Sequence, residues 1–388
     1  MGVSRLTDAM EAAQALVHHV SRDLRDGPID LAFLFLSAHH APHAEAMTKL
    51  VSEAIAPTVL LGCTGEGIIG GTEEIEGAPA LTLWAARLPG VRLASLRLSQ
   101  SPADLDASLS GGADAGLEAA DPPVFLLLAD PFSTPMNDVL SWLSDRFPGA
   151  TAIGGLAGGG HEPGENRMVL NGQVFDHGLV GVGLSGPVRI RTVISQGCRP
   201  IGDRYVVTKA EQNVIHELGG KPALGQLQHV FETMSVEEQH LANRALHLGI
   251  VIDEHRNRFE RGDFLVRNLI GADRSTGSVA VGEIVQEGQT VQFHVRDAES
   301  ASEDLRLLVA TDRERHPQPA LGALLFSCCA RGRGLFGQPH HDISVIRREA
   351  GSIPIGGFFA QGEIGPVGGS NFLHGYTASL ALFCSPGP

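Results

Sequence analysis

The residues with the most evident chemical potential lie in one short segment that follows a buried strand. Ser327–Gly337 contains two adjacent cysteines, Cys328 and Cys329, and two arginines, Arg331 and Arg333. Planar guanidinium groups form paired hydrogen bonds with carboxylates and phosphates. A neighbouring arginine also favours the thiolate form of a cysteine. The segment therefore predicts an anion-binding site or a reactive thiol, whereas the alternative is that these cysteines simply complete a buried strand.

Two carboxylates lie within glycine-rich segments elsewhere in the chain. Glu66 is part of Gly62–Gly67, and Glu363 follows Gln361-Gly362. A carboxylate held among glycines can accept an ammonium group while Arg331 or Arg333 holds a carboxylate, so both charges of an amino acid would be matched. The alternative is that Glu363 accepts hydrogen bonds from neighbouring N–H groups and makes its loop rigid.

The backbone of the glycine-rich segments is itself a candidate binding surface. Successive N–H groups in Gly62–Gly67 can form an anion-binding nest, to which Thr64 adds a hydroxyl donor and Cys63 a thiol. Tight packing between two structural units is the alternative interpretation. The segment lacks the GK[ST] of a P-loop, and Gly154–Gly160, which includes Gly155, lacks the rest of a dinucleotide-binding unit. No cofactor is predicted.

Two histidine clusters are weak candidates for a metal site. His39, His40 and His43 have the pattern of a solvated loop, and His340-His341-Asp342 lacks a third ligand at a recognisable spacing. The sequence therefore predicts no metal site.

The glycine-rich segments belong to a pattern that occurs three times. Each follows a fully apolar strand and begins 26, 25 or 30 residues after that strand ends. The strands are Leu31–Leu36, Val124–Ala129 and Leu321–Phe326, and the segments are Gly62–Gly67, Gly154–Gly160 and Gly356–Gly369. Such repetition predicts pseudo-symmetric packing of similar units, with the glycine-rich loops converging where the units meet.

The irregular alternation of strands, hairpins and helices indicates an α+β (mixed α/β) fold. Layered mixed sheets with flanking helices are favoured over a doubly wound parallel sheet. A helix is predicted within residues 1–29, and a composition shift near Ser195–Lys209 divides the remainder into 30–208 and 209–384. Asn213–Leu218 has a helical pattern, and Ser300–Thr311 is predicted to be an amphipathic helix.

Composition excludes several classes of partner. The chain has 388 residues, of which 43% are hydrophobic and 19% charged, as in ordinary globular proteins. A net charge of −15, with only 2 Trp and 2 Tyr, argues against nucleic-acid binding. Five cysteines without a CxxC spacing, no secretory pattern and no apolar run of about 18 residues predict a cytoplasmic protein without membrane insertion. A strong preference for Arg over Lys is typical of a GC-rich bacterial genome.

Several longer motifs lie in order along the chain. They are Gly62–Gly67, Arg199–Gly202 with Tyr205–Thr208, Asn213–Leu224, Arg331–Gly337, Pro354–Gly369 and Asn371–Phe383. Together they resemble the FIST family, the domain of F-box and intracellular signal transduction proteins, over roughly Asp30–Phe383. The resemblance implies FIST N and FIST C halves and a role in sensing small ligands, with amino acids the usual suggestion. It supplies no catalytic residues.

Three functions are compatible with these features. The favoured one is a cytoplasmic sensory module that binds an amino acid or similar metabolite and signals through a protein partner or its own association. The alternatives are a protein-interaction scaffold and a hydrolase or transferase that uses Cys63, Cys328 or Cys329. The predicted ligand-binding residues are Cys63, Thr64, Glu66, Gly155, Arg331, Arg333, Glu363 and Asn371.

Overall fold

The computed structural model describes residues 1–24, 27–99, 101, 103–110, 117, 122–256, 259 and 262–385. The chain separates into two compact units. Unit 1 comprises Met1–Ile194 and Arg306–Pro388, and unit 2 comprises Ser195–Leu305. Unit 2 is therefore inserted into the chain of unit 1, so the compact units are not two consecutive halves.

Unit 1 begins with two copies of one order of elements: strand, helix, strand, helix, strand, hairpin and strand. The elements of repeat one are β1 Gly2–Ser4, α1 Ala9–Leu24, β2 Leu31–Ser37, a 3-10 helix Ala38–His43, α2 Ala44–Ile55, β3 Val59–Gly65, β4 Gly67–Gly70, β5 Glu73–Glu76 and β6 Leu81–Ala86. The elements of repeat two are β7 Arg92–Leu98, α3 Ala103–Ser110, β8 Val124–Ala129, α4 Met136–Arg146, β9 Thr151–Leu156, β10 Met168–Leu170, β11 Gln173–Phe175 and β12 Leu179–Ser185.

Repeat three has the same order but is interrupted by unit 2. It begins with β13 Arg189–Ser195. Unit 2 then supplies β14 Cys198–Glu211, β15 Val214–Leu218, β16 Lys221–Pro222, α5 Ala223–Thr233, α6 Val236–Ala245, β17 Leu246–Val251, β18 Phe264–Asp273, β19 Ser278–Val281 and β20 Thr290–Arg296. Repeat three resumes with α7 Ala298–Arg315, β21 Ala320–Cys328, α8 Gly332–Phe336, α9 His341–Ala350, β22 Ile355–Ala360, β23 Glu363–Val367, β24 Ser370–His374 and β25 Ala378–Cys384.

Within the described ranges, the strands of unit 1 form three six-stranded sheets with one shared topology. In each sheet the apolar strand runs parallel to the glycine-rich strand of its own repeat, as β2 with β3, β8 with β9 and β21 with β22. The glycine-rich strand then pairs with a hairpin from another repeat, as β3 with β10, β9 with β23 and β22 with β4. The three repeats are therefore interlocked in a cycle.

The three sheets share one apolar core. Alternate side chains of β2, β8 and β21, among them Phe35, Leu128 and Phe326, belong to a single buried cluster. The ring of Phe35 contacts that of Phe326 with a centroid distance of 6.4 Å. In repeats one and two the opposite sheet faces pack against the helices, as Leu34 does against α1 and α2. This alternation is the period of two expected for strands buried on both faces.

Unit 2 is an antiparallel sheet whose pairings close on themselves. Its order is β14-β20-β17-β18-β19-β15-β16, and β14 also pairs with β15. Closure of this kind leaves fewer unpaired edges than an open sheet. A separate apolar core, which includes Ile215, Leu248 and Phe293, fills this unit.

The predicted α+β class and its repeated units are confirmed, as are the N-terminal helix and the helix over Ser300–Thr311. The prediction of a helix over Asn213–Leu218 is wrong, because Val214–Leu218 is strand β15, paired with β14 and β19. The glycine-rich segments also begin inside strands β3, β9 and β22 rather than in loops. Among the described helices, none has the length and apolarity needed to cross a membrane.

Candidate functional site

Three backbone hydrogen bonds join the three glycine-rich segments in a closed cycle, in which each segment donates one bond and accepts another. The donor N–H and acceptor carbonyl pairs are Glu66 to Phe359 at 3.0 Å, Gln361 to Leu156 at 3.1 Å and Gly158 to Thr64 at 3.1 Å. The predicted convergence of the glycine-rich segments is thus observed. It occurs at the carboxyl ends of the parallel strands, the usual location of ligand sites in parallel sheets.

One glycine in each segment allows the parallel strands to approach this closely. Gly62, Gly154 and Gly357 lie opposite Leu34, Leu127 and Leu325 in the strand register. A Cβ atom at these glycines would lie only 2.1, 1.8 and 1.9 Å from the leucine carbonyl oxygens. Only glycine fits at such contacts, so these residues fix the strand spacing from which the cycle is built.

The exposed side of the cycle forms a surface that we call the loop mouth. It consists of Ala38, Glu66, Gly159, Cys329 and Gln361. The exposed Glu66 carboxylate accepts the N–H of Gly159 through Oε2 at 3.1 Å. Gln361 Nε2 donates to the carbonyl of Gly160 at 3.1 Å. Side chains from repeats one and three thus hold the glycine loop of repeat two.

A buried polar layer supports this loop from beneath. Asn166 Nδ2 donates to Asp130 Oδ1 at 3.0 Å. Asn166 Oδ1 accepts the hydroxyl of Thr64 at 3.3 Å and the N–H of Gly160 at 3.1 Å. The same Thr64 hydroxyl accepts the N–H of Arg167 at 3.1 Å. Thr64 therefore positions backbone instead of projecting towards solvent.

Sequence reasoning missed the two central residues of this layer. Asp130 directly follows the apolar strand Val124–Ala129, and that position was the available signal for it. Asn166 lies beyond the glycines in an irregular loop, where nothing in the sequence distinguishes it. Both side chains are almost completely buried.

The adjacent cysteines have opposite environments. Cys328 is buried at the end of β21, whereas Cys329 is exposed at the loop mouth. A hydrogen bond between the two thiols, followed by burial, raises the pKa of Cys328, and the same bond lowers the pKa of Cys329. Burial raises the pKa of Cys63. Of the three candidate thiols, Cys329 has the properties of a nucleophile.

Glu363 lies beneath this thiol pair and is completely buried. Its Oε2 accepts the N–H of Thr377 at 3.0 Å. Burial, and then the proximity of Cys328, raise the pKa of Glu363 well above its usual value. Glu363 is therefore an internal acid next to the thiols, whereas Glu66 is an exposed carboxylate.

Arg331 already has a carboxylate partner within the chain. Its Nε and Nη2 atoms donate to Asp342 Oδ2 at 2.7 Å and Oδ1 at 2.9 Å, and both side chains are 0% exposed. Burial would raise the pKa of Asp342, but the charge of Arg331 and hydrogen bonds from His341 and Arg331 lower it overall. Arg333 is exposed, and its backbone N–H donates to Glu76 at 3.0 Å.

Glu74 of β5 extends this buried cluster and links repeat one to α9. Its Oε1 accepts the N–H of Ile343 at 2.7 Å, and its own N–H donates to His340 Nδ1 at 2.8 Å. Burial, and then the negative charge of Asp342, raise the pKa of Glu74 to about 8. Glu74 could not be identified from the sequence, because nothing in the chain pattern places β5 beside this helix.

The remaining predicted site residues hold strands together. Asn371 Nδ2 donates to the carbonyl of Ala150, and its Oδ1 accepts the N–H of Ala152, both at 2.8 Å. Gly155 pairs with Glu363 between β9 and β23. Among the described residues, no group of three or more His, Cys, Asp or Glu side chains is arranged to hold a metal ion.

Comparison with known protein families identifies the family of this chain. The FIST N domain profile matches residues 30–221, and the FIST C domain profile matches residues 223–366. The chain belongs to the FIST family. FIST domains are associated with sensory roles in signal transduction. The junction of the two FIST matches lies inside unit 2, so repeat three of this FIST protein contains residues from both matches.

Full-length relatives occur in mycobacteria. This FIST protein is 43% identical over 385 residues to the uncharacterized protein Rv0628c of Mycobacterium tuberculosis strain H37Rv, which covers 99% of this chain and 98% of that protein. It is 41% identical over 383 residues to the uncharacterized protein Mb0898c of Mycobacterium bovis, with the same coverage. The similarity therefore includes both compact units.

Proposed function

We propose that this FIST protein is a sensory module that binds a small amine-bearing metabolite at the loop mouth, with amino acids as the principal class. The observation that carries the proposal is the Glu66 carboxylate, which is exposed beside the hydrogen-bond cycle and oriented by the N–H of Gly159 at 3.1 Å. An oriented carboxylate forms charge-assisted hydrogen bonds with an ammonium group.

The surrounding charges favour an amine over an anion as the recognised group. The guanidinium of Arg331 is engaged by Asp342, which leaves Glu66 as the charged side chain of the loop mouth. The net charge of −15 adds a long-range preference for cations. This engagement removes Arg331 as the carboxylate-binding group of a zwitterion, and the ammonium group, held by Glu66, is the part of the ligand that we propose is recognised.

A ligand at the loop mouth would influence all three repeats at once. Glu66, Gly159 and Gln361 belong to repeats one, two and three, respectively. A ligand changes a conformational equilibrium only if its affinity differs between the two conformations of the protein. Under this proposal, that difference would arise from contacts of the ligand with three interlocked repeats. We expect the response to be transmitted to a signalling protein or to self-association of the chain.

The proposal is tested by thermal denaturation and calorimetry with the proteinogenic amino acids, methylamine and acetate as probes. A probe at 100 times its Kd stabilises the folded state by about 2.7 kcal/mol. We expect stabilisation by at least one amino acid, weak stabilisation by methylamine and none by acetate. Glu66→Gln should weaken binding about tenfold or more, since hydrogen bonds to charged groups contribute about 1.5–3 kcal/mol.

A matched control separates the site from general charge. Glu45→Gln removes the same charge from the exposed face of α2 and should leave binding unchanged. Equal weakening by both substitutions, or no response of the wild type to any probe, would contradict the proposal and favour the scaffold function.

A second candidate function is cysteine-dependent hydrolysis or group transfer. It is favoured by one observation, the exposure of Cys329 at the loop mouth with a pKa lowered by the hydrogen bond from Cys328. Nucleophilic catalysis requires an accessible thiolate, and Cys63 and Cys328 are both buried.

A further inference from the structure

Repeat three lacks two inward-facing side chains at the amino ends of its parallel strands. The strand register places Gly356 opposite Leu324, where repeats one and two have Leu61 opposite Phe33 and Ile153 opposite Leu126. Two residues before Leu324, repeat three has Gly322, where the other repeats have Leu31 and Val124. At this end of the shared core, repeat three therefore contributes less side-chain volume than repeats one and two.

Trp84 of repeat one occupies part of the space that these glycines leave. A Cβ atom at Gly356 would lie 2.9 Å from Trp84 Cβ, and one at Gly322 would lie 3.3 Å from the indole ring. The indole also packs against Phe383, with ring centroids 4.8 Å apart and planes inclined by 41°. The remaining space is a cavity of about 480 Å³ beside this aromatic pair.

This cavity lies at the opposite end of the sheets from the loop mouth. Leu321 and Gly322 are at the start of β21, whereas Cys329 of the loop mouth follows its last residue. The nine residues of β21 extend roughly 30 Å at about 3.3 Å per residue. The cavity is thus a separate site, and the inference below does not depend on the proposed function.

The walls of the cavity are mainly apolar, and the polar atom of the Trp84 indole is engaged. Trp84 Nε1 donates to the carbonyl of Pro354 at 3.4 Å. The charged groups of the lining are the half-buried α-ammonium of Met1 and the exposed side chains of Asp23 and Arg87. Asp23 contacts His19 at 3.2 Å, and Arg87 donates to the carbonyl of Gly27 at 3.2 Å. Burial lowers the pKa of the Met1 α-ammonium, and the negative charge of Asp23 opposes this shift. The wall formed by Trp84 and Phe383 carries no charged group, so a charged ligand placed against these rings would lose its hydration without a compensating partner.

We propose that this cavity binds a compact, uncharged aromatic molecule against Trp84 and Phe383. Its volume falls within the range of about 300–1,000 Å³ that is typical of small-molecule sites. Tilted and offset ring arrangements are favourable for aromatic groups, and the Trp84–Phe383 pair presents such surfaces to a third ring. Glycine at two core positions of one repeat is the structural origin of this site.

The two tryptophans of the chain allow a direct test with bromobenzene, an uncharged aromatic heavy-atom quencher. Trp142→Phe leaves Trp84 in the cavity wall as the only tryptophan, and Trp84→Phe leaves Trp142 on the outer helix α4. We expect saturable quenching of Trp84 emission in the first variant. The second variant should show only the linear quenching of random collisions.

A blocked cavity supplies the matched control. Ala86→Phe places a ring into the cavity from its half-buried rim and should weaken bromobenzene binding about tenfold, which corresponds to 1.4 kcal/mol. Val188→Phe does the same from the segment between β12 and β13, and is used if Ala86→Phe lowers the melting temperature. Linear quenching of both tryptophans, or saturable quenching that is unchanged in a folded blocked variant, would overturn the proposal.

Discussion

The guanidinium of Arg331 and the carboxylate of Asp342 form a two-point ion pair that is completely removed from solvent, with N–O distances of 2.7 and 2.9 Å. Arg331 begins the most arginine-rich motif of the chain, and Asp342 is the second residue of α9. The pair therefore ties the segment after β21 to the helix that precedes β22. A motif with the composition of an anion-binding site is, at Arg331, part of the structural core.

Removing either member of this pair should be strongly destabilising. Arg331→Met leaves the buried carboxylate of Asp342 without its guanidinium partner, and Asp342→Leu leaves the buried guanidinium of Arg331 without this carboxylate. Breaking a buried ion pair in this way costs about 3–5 kcal/mol, while replacement of both members by apolar residues is often close to neutral. In urea denaturation, we expect each single variant to lose that much unfolding free energy and the double variant to lose less. Additive losses would show that the two residues do not act as a pair.

Glu74 should make the stability of unit 1 depend on pH. Its pKa is near 4.5 when exposed and about 8 in the folded protein. Between these values the folded state holds a proton that the unfolded state releases, so its contribution to stability falls as pH rises and is lost above about 8. Relative to Glu74→Gln, which retains the acceptor for Ile343, wild type should become progressively less stable from pH 5 to 8.

Glu73→Gln is the control for this titration, because Glu73 lies in the same strand and pairs with Arg5 at 3.1 Å in an exposed position. Its unfolding free energy should follow that of wild type across the same pH range. A constant difference between wild type and Glu74→Gln at every pH would contradict the raised pKa.

Cys329 should be the fastest cysteine to react with iodoacetamide near neutral pH. It is exposed with a lowered pKa, whereas Cys63 and Cys328 are buried with raised pKa values. Peptide mapping should place the first modification at Cys329, and Cys329→Ser should abolish the fast phase. The negative charge of Glu66 opposes thiolate formation at Cys329, so Glu66→Gln should accelerate the reaction. Slow, uniform labelling would remove the basis of the enzymatic alternative.

The sequence could predict the helices and strands of each repeat, but not that the hairpin of one repeat pairs with the glycine-rich strand of another. Leu31–Leu36 and Val124–Ala129 are continuous apolar runs because both faces of these strands are buried, and that pattern is visible without a structure. The pairing of β4 with β22 joins residues almost 300 positions apart, and no local pattern encodes such a contact. Val214–Leu218 was misassigned for a similar reason: its pairing with β14 and β19 decides its conformation.

In the candidate site, too, some features could be predicted from the sequence and others could not. The presence of Glu66, and its place beside the other glycine-rich segments, followed from repetition in the sequence. The engagement of Arg331 did not, because the sequence indicates His340-His341-Asp342 only as a weak metal motif and nothing in it pairs Asp342 with Arg331. Asn166 and Glu74 act through contacts set by tertiary packing. Spacing therefore indicated where the backbone converges, but not which polar side chains are already satisfied there.

The three glycines of the parallel strands should be among the least replaceable small residues of unit 1. Gly154→Ala would place a Cβ atom 1.8 Å from the carbonyl oxygen of Leu127, a backbone contact that no side-chain rearrangement can relieve. Since overpacking a core costs about 1–3 kcal/mol even where side chains can adjust, we expect a loss above about 3 kcal/mol in urea denaturation. Gly334→Ala is the matched control, because no atom lies within 4 Å of its added Cβ, and it should change stability by less than about 0.5 kcal/mol. If Gly154→Ala were as stable as Gly334→Ala, the close approach of β8 and β9 would not be a requirement of the fold, and the hydrogen-bond cycle would need another origin.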